Sequence, residues 1–415
     1  MKLEVVTIGT ELVLGLTLDS NAAELGRALA AAGAEIVRHV TVPDRPEPIR
    51  AAVAEALDRT GFVIATGGLG PTRDDMTKVE VAALFGAPLR LDASVLRSLE
   101  ARFRRLGRPM PAVNRTQAEI PEGATVLPNP RGTAPGLWLE DARGRVAVLL
   151  PGVPSEMRGL LVEEVLPRVV QRAGGGRVVL SRTLRTTGVP ESALAERIGA
   201  IEEEVAPLTL GYIPSVDGVD LRVTAWALPA DEAERRLGEA ATQLRARLED
   251  HCYGEDGADL AAVVLELLRA RRERLAAAES CTGGLLSARV TAVAGASDVF
   301  VGGVVAYADG VKTALLDVPE AVLDVHGAVS EEAVRAMVAG AQRRFATGAA
   351  LAITGIAGPT GGTPEKPVGT VWLAARLGAE TRAVRRVFPG DRGEIRARSA
   401  QAALDLLRRL LAPQP

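Results

Sequence analysis

At 415 residues the chain is long enough for two or three domains with separate cores, and its 47% hydrophobic and 24% charged residues are those of an ordinary globular protein. A net charge of −3 with 3% aromatic residues excludes a strongly basic nucleic-acid footprint and a base-stacking surface. With no signal-peptide pattern and no apolar run of membrane-spanning length, a cytoplasmic protein without membrane or direct nucleic-acid partners is expected.

The first 170 or so residues alternate apolar runs (3–9, 35–42, 62–66) with alanine-rich segments of helical spacing (21–32, 46–58). That order predicts a parallel sheet covered by helices. A buried strand at 146–150 leads through Pro151-Gly152-Val153-Pro154 into a helix from Ser155. Gly174-Gly175-Gly176 reads as a linker. A smaller unit follows, with strand (178–185), helix (191–201), strands (208–213, 220–228) and helix (230–248). From residue 256 strands are expected near 274–279, 300–307, 349–354, 368–376 and 382–388, closed by an amphipathic helix, 391–411. The expected fold is α/β in three domains, 1–173, 177–255 and 256–415, the middle one a small α+β module. Cys252 and Cys281 lie far apart and His39, His251 and His326 are scattered, so neither a zinc site nor a disulfide is expected.

Thr66-Gly67-Gly68-Leu69-Gly70-Pro71-Thr72-Arg73-Asp74-Asp75-Met76-Thr77-Lys78 follows a buried strand. Ligands of open α/β sheets sit at the carboxyl ends of strands. Glycines there let backbone N–H groups approach phosphate oxygens. The adjacent acids Asp74 and Asp75 repel each other as bare scaffold but suit a divalent cation that bridges phosphates; the alternative, an acidic N-cap on the helix from about Thr77, accounts for one of them easily and for two less well. Gly67, Gly68, Gly70 and Thr72 are therefore candidate phosphate-binding residues. Gly9-Thr10-Glu11, Asp19-Ser20-Asn21, Asn129-Pro130-Arg131-Gly132 and Pro151-Gly152-Val153-Pro154-Ser155-Glu156 add Glu11, Asn21, Asn129, Gly132 and Glu156 to the same polar rim, with Glu156 a third candidate metal ligand.

Lysine occurs only at 2, 78, 312 and 366. A lysine can shed its proton when desolvated and act as a base, whereas arginine stays charged. Lys312 follows Glu279-Ser280-Cys281-Thr282-Gly283-Gly284 and Gly302-Gly303-Val304-Val305-Ala306-Tyr307, so a Ser280–Lys312 hydrolase pair with Tyr307 at hand is expected. A simple ion pair of Lys312 with Asp309 or Asp317 is the competing account. The N–H groups of Gly283 and Gly284 are candidates for an oxyanion site. Thr354 and Gly355, opening Thr354-Gly355-Ile356-Ala357-Gly358-Pro359, are candidates to hold a phosphate. Arg392 and Arg396, one turn apart, would neutralise it.

The N-terminal motifs Gly-Thr-Glu-Leu, Asp-Ser-Asn, Gly-Gly-Leu-Gly-Pro-Thr-x-Asp-Asp-x-Thr, Asn-Pro-x-Gly-Thr-Ala-Pro-Gly and Leu-Pro-Gly-x-Pro-x-Glu together resemble the N-terminal domain of the competence/damage-inducible CinA family, a molybdopterin-binding-like α/β sandwich. The resemblance implies ADP-ribose pyrophosphatase activity with a divalent metal (Mg, Mn or Co) at Asp74 and Asp75, with Asp75 essential to turnover. The C-terminal motifs resemble the family's nicotinamide-nucleotide amidase domain, which implies conversion of nicotinamide mononucleotide to nicotinate mononucleotide and ammonia. Carried over by position, Ser280 and Lys312 form the catalytic pair and Tyr307 supports them, with no cofactor. A homodimer is expected from the resemblance alone. The alternatives are a molybdopterin-handling protein and an interaction protein of DNA uptake or repair.

Overall fold

The computed structural model describes residues 1–174 and 177–412, so Gly175 and Gly176 of the anticipated linker lie outside the described residues. The chain divides into two compact units, residues 1–180 with 225–235, and residues 181–224 with 236–415.

The first unit holds strands β1 (Lys2–Ile8), β2 (Glu35–Val42), β3 (Phe62–Thr66), β4 (Leu89–Leu91), β5 (Glu119–Pro121), β6 (Thr125–Leu127), β7 (Gly136–Glu140) and β8 (Val146–Leu150). Its main sheet has the order β2-β1-β3-β8-β7-β6, while β4 and β5 pair separately. The anticipated parallel pairing holds for β2, β1, β3 and β8. It fails at β7 and β6, which run antiparallel. The reason is connection length. A five-residue turn joins β7 to β8, braced by Asp141 accepting from the N–H groups of Arg143 and Arg145, and so short a link can only reverse the chain. Alternation along β1 and β3 sends Val6, Val63 and Ala65 to one core and Val5 and Ile64 to the other, so helices cover both faces.

The second unit contains one whole sheet and most of another, of which residues 177–180 and 225–229 fall in the first unit. Strands β9 (Arg177–Thr186), β10 (Thr209–Pro214), β11 (Val219–Pro229) and β12 (Cys252–Glu255) form the latter, in the order β10-β11-β9-β12. Strands β13 (Leu275–Glu279), β14 (Phe300–Val305), β15 (Ala349–Gly355), β16 (Thr370–Leu377) and β17 (Glu380–Val387) form the other, in the order β14-β13-β15-β16-β17. Here β14, β13 and β15 are parallel, while β16 and β17 are antiparallel. The three consecutive alanines of β13 expose no side chain long enough to hold the flanking helices away, and all are buried. The closing helix Arg392–Leu411 starts with a capping box, Asp391 accepting from Glu394 N–H while Glu394 accepts from Asp391 N–H.

Both α/β sheets share one feature. The first strand is central, the second lies to one side of it and the third to the other. The order therefore switches at β1/β3 and at β13/β15, and open sheets offer a ligand crevice at the carboxyl ends of such strands. The glycine-rich motifs emerge at these two places.

Candidate active sites

At the first switch point Gly67 follows β3 with φ +110°, and a Cβ there would lie 2.1 Å from Ile8 O. Only glycine allows β1 and the turn after β3 to approach so closely. Gly67 N–H donates to Leu150 O at 3.0 Å. Asn21 joins the same strand ends, its Nδ2 donating to Gly152 O (2.8 Å) and Thr66 Oγ1 (3.3 Å). Asn21 Oδ1 and Thr77 Oγ1 are buried here without a partner, two polar atoms able to meet a ligand. Glu11 is exposed beside the turn after β1, which Asp44 fixes by accepting from Thr10 N–H.

Several candidates of this rim turn out to be loop fasteners. Asp75 accepts from Gly70 N–H (2.7 Å), Thr72 N–H (2.9 Å) and Thr72 Oγ1 (2.5 Å). Both its oxygens, and the Gly70 and Thr72 donors, are thereby used within the loop. That corrects the assignment of Asp75 as a catalytic residue and metal ligand and of Gly70 and Thr72 as phosphate-binding residues. Gly68 N–H, by contrast, has no acceptor among the described residues. Asn129 is likewise spent. Its Oδ1 accepts from the N–H groups of Arg131 and Gly132, and its Nδ2 donates to Ala134 O and Glu156 Oε2. These four bonds satisfy a carboxamide completely, so neither Asn129 nor the Gly132 N–H is available to substrate. Glu156 is held against this loop, where a Cβ on Gly132 would lie 1.6 Å from its Oε2. Among the described residues no three acidic, His or Cys side chains gather into a metal cage, so the set Asp74, Asp75 and Glu156 does not fit one. Of the three acids Asp74 alone stays exposed.

At the second switch point Ser280, Ala306 and Tyr307, and Thr354 emerge side by side. Ser280 N–H donates to Ile353 O (2.9 Å) and Ala306 N–H to Glu279 O (2.7 Å). Ser280 is 8% exposed and Lys312 only 1%. Lys312 sits on the helix Asp309–Leu316, its Nζ donating to Tyr307 O and Asp309 Oδ1, both at 3.1 Å. The Asp309 pairing weighed from the sequence is thus present, and no Asp317 pairing accompanies it. Tyr307 is 60% exposed, and its hydroxyl accepts from Arg392 Nη2 at 3.0 Å, while Arg392 Nη1 donates to Gly358 O. Arg396 donates from Nε and Nη2 to Thr282 O.

Two assignments change here. Gly283 N–H donates to Ser280 O and Gly284 N–H to Glu279 Oε2, so neither is free to receive an oxyanion. The Cys281 and Thr282 N–H groups, in the same turn, have no backbone or side-chain acceptor among the described residues. Thr354 is buried and its hydroxyl donates to Ala328 O, so it fastens the 326–330 turn instead of holding phosphate, and Gly355 packs against Thr370 and Val371. The residue that the sequence hid is Glu279. It is 1% exposed and accepts from the N–H groups of Gly284, Leu286 and Ser287 and from Ser287 Oγ. A buried carboxylate at the start of the helix Leu285–Thr291 caps it and sets the turn that carries Ser280. An acid closing an otherwise apolar strand was the signal that could have found it. Burial pushes the Cys281 thiol up to about 12, which keeps it a neutral neighbour of Ser280.

Comparison with known proteins matches these parts in turn. Residues 4–171 match the probable molybdopterin binding domain, 181–254 the damage-inducible protein CinA KH domain and 257–411 the CinA C-terminal domain. A CinA-like protein of Gemmatimonas aurantiaca is 54% identical over 414 residues, covering 99% of this chain and 97% of that protein. The chain belongs to the CinA family. A CinA-like protein of Salinibacter ruber is 43% identical over 413 residues, covering 99% of this chain and all of that protein. The solved structure of a competence damage-inducible protein A from Klebsiella pneumoniae is similar over 36% of this chain and 93% of that one, with 39% identity and a TM-score of 0.36. Within this CinA chain no helix among the described residues is long and apolar enough to cross a membrane.

Proposed function

We propose that this CinA protein is a bifunctional hydrolase of pyridine-nucleotide salvage, which releases ammonia from nicotinamide mononucleotide at the second site and splits ADP-ribose into AMP and ribose 5-phosphate at the first. The observation that carries the amidase reading is Lys312, buried at the strand ends from which Ser280 and Tyr307 emerge. The step requires Lys312 as the free amine, its ammonium proton given up to solvent and its Nζ released from Asp309; Ser280 Oγ then attacks the carboxamide carbon while Lys312 takes the hydroxyl proton. The C–N bond then breaks, the proton leaves with ammonia, and water hydrolyses the ester to nicotinate mononucleotide and free Ser280. The Cys281 and Thr282 N–H groups are the donors left for the oxyanion. Arg392, held over the site by the Tyr307 hydroxyl, supplies charge for the nucleotide phosphate.

At the first site the unpartnered Asn21 Oδ1, Thr77 Oγ1 and Gly68 N–H support a polar ligand at the β1/β3 crevice. The three acids form no metal cage by themselves; Asp74, exposed on the same loop, would be the carboxylate left to meet a divalent cation brought in with the phosphates, which would supply charge neutralisation. A homodimer is proposed on the family likeness. The deciding experiment measures ammonia release from nicotinamide mononucleotide by the wild type, Ser280→Ala and Lys312→Arg. Lys312→Arg keeps the charge but removes any usable base, so both variants should lose about 10³-fold or more in turnover. Near-normal turnover in Lys312→Arg would reduce Lys312 to an electrostatic anchor and require a directly activated water.

A further inference from the structure

Within the second unit a cleft of about 500 Å³ opens between the turns at 187–190 and 215–218 of the middle sheet and the strands β16–β17 with the closing helix. That volume suits a ligand the size of a nucleotide. Val189, Val216, Val384 and Phe388 give it apolar walls. Its polar side is unusual. Gln401 is 2% exposed, and its Oε1 accepts from Arg289 Nη2 at 2.8 Å, which fixes the amide. Its Nε2 is then left buried with no acceptor. Arg398, one turn away, likewise has a buried Nε without an acceptor. Two orphaned buried donors in one cleft wall are costly unless something accepts from them.

The charges of the cleft point to the sign of that acceptor. Asp405 is committed to Arg408 and Arg409, and Asp217 to Arg289. Arg398 and Arg386 line the cleft with no acidic partner among the described residues. At 3.6 residues per turn the closing helix presents Arg398 and Gln401 on the side away from Arg392 and Arg396, so the cleft is separate from the site around Ser280. No two glycines within 181–254 lie three residues apart, and the pair Gly254 and Gly257 at its end encloses Glu255 and Asp256, whose negative charge opposes a phosphate backbone, so the module offers no backbone clamp of the kind by which KH modules hold a nucleic-acid strand.

We propose that this cleft is a binding site for a small organic anion, a phosphate or carboxylate carried on a flat apolar body, with Gln401 Nε2 and Arg398 Nε as its donors. The test is hydrogen exchange by mass spectrometry on the full chain with AMP and with nicotinate, each at about 5 mM, against the uncharged adenosine and nicotinamide. AMP protection identifies a phosphate and nicotinate protection a carboxylate. At least one anion should slow exchange by about threefold or more in peptides spanning 186–194 and 396–406, and the uncharged partner should not. Gln401→Glu keeps the bond from Arg289 but replaces the donor by a carboxylate, and should abolish this protection. Arg398→Ala should do the same, with unchanged exchange in the absence of ligand. No protection by either anion, equal protection by the uncharged molecules, or protection that survives in both variants overturns the proposal. So does protection of these peptides by a single-stranded oligoadenylate alone.

Discussion

Replacing Glu279 by glutamine should loosen the turn that carries Ser280 without removing any group proposed to touch substrate. In the wild type Oε2 accepts from Gly284 and Leu286 N–H, both at 3.0 Å, and Oε1 from Ser287 N–H (2.8 Å) and Ser287 Oγ (2.6 Å). A glutamine keeps one acceptor oxygen, best placed toward Gly284 and Leu286, because the Ser287 hydroxyl can rotate to accept from the new amide nitrogen. The Ser287 N–H is then left facing a donor, at about 1–3 kcal/mol for a buried unsatisfied group. The two surviving bonds lose their ionic character, and the helix Leu285–Thr291 loses the negative charge at its N-terminus, for roughly another 1–2 kcal/mol together. The total is about 3 kcal/mol, or about 10² in the equilibrium for local opening. Hydrogen exchange of peptides within 280–290 should accelerate by about that factor, with amidase turnover falling alongside. An acceleration below about threefold would show that the turn is held by something other than this carboxylate.

Three further outcomes follow from the same geometry. Asp75→Asn should raise the rate of tryptic cleavage after Arg73, because an amide cannot accept from both Gly70 and Thr72, whereas Asp74→Asn should leave that rate unchanged; equal rates in the two variants would refute the fastening role. Burial holds the Lys78 ammonium down from its ordinary 10.5 to about 8, so below pH 8 its burial cost is fully present. Between 8 and 10.5 the folded state sheds the proton first. The urea midpoint of the first unit, taken as wild type minus Lys78→Met, should therefore rise with pH across that window, and a flat difference refutes it. Cys281, with its thiol pushed up to about 12, should react with iodoacetamide at pH 8 about 10³-fold more slowly than a free thiol; mass spectrometry of the 280–289 peptide reads this directly, and ready alkylation would contradict it.

The alternation of apolar runs and helical segments, the glycine-rich turns at strand ends and the isolation of Lys312 among arginines are local patterns, and each was legible in the chain. So was the family resemblance, because its motifs are contiguous. The antiparallel β7 was within reach too, since the turn before β8 is too short for a crossover. The sequence could not say which polar groups in those motifs remain free. Asp75, Asn129, Glu156, Thr354, Gly283 and Gly284 all have the right chemistry, but folding gives each a nearer partner than a substrate, some from far along the chain. Asn129 meets Glu156 across 27 residues and Thr354 meets Ala328 across 26. Conversely Glu279 reads as the end of a strand until its carboxylate is seen to gather four donors, and Gln401 as an ordinary helix residue until Arg289 takes its oxygen and strands its nitrogen. A side chain's identity fixes what it is able to bind, but a buried donor or acceptor is satisfied by whatever the tertiary structure brings within about 3 Å, and that competition is decided only when the chain has folded.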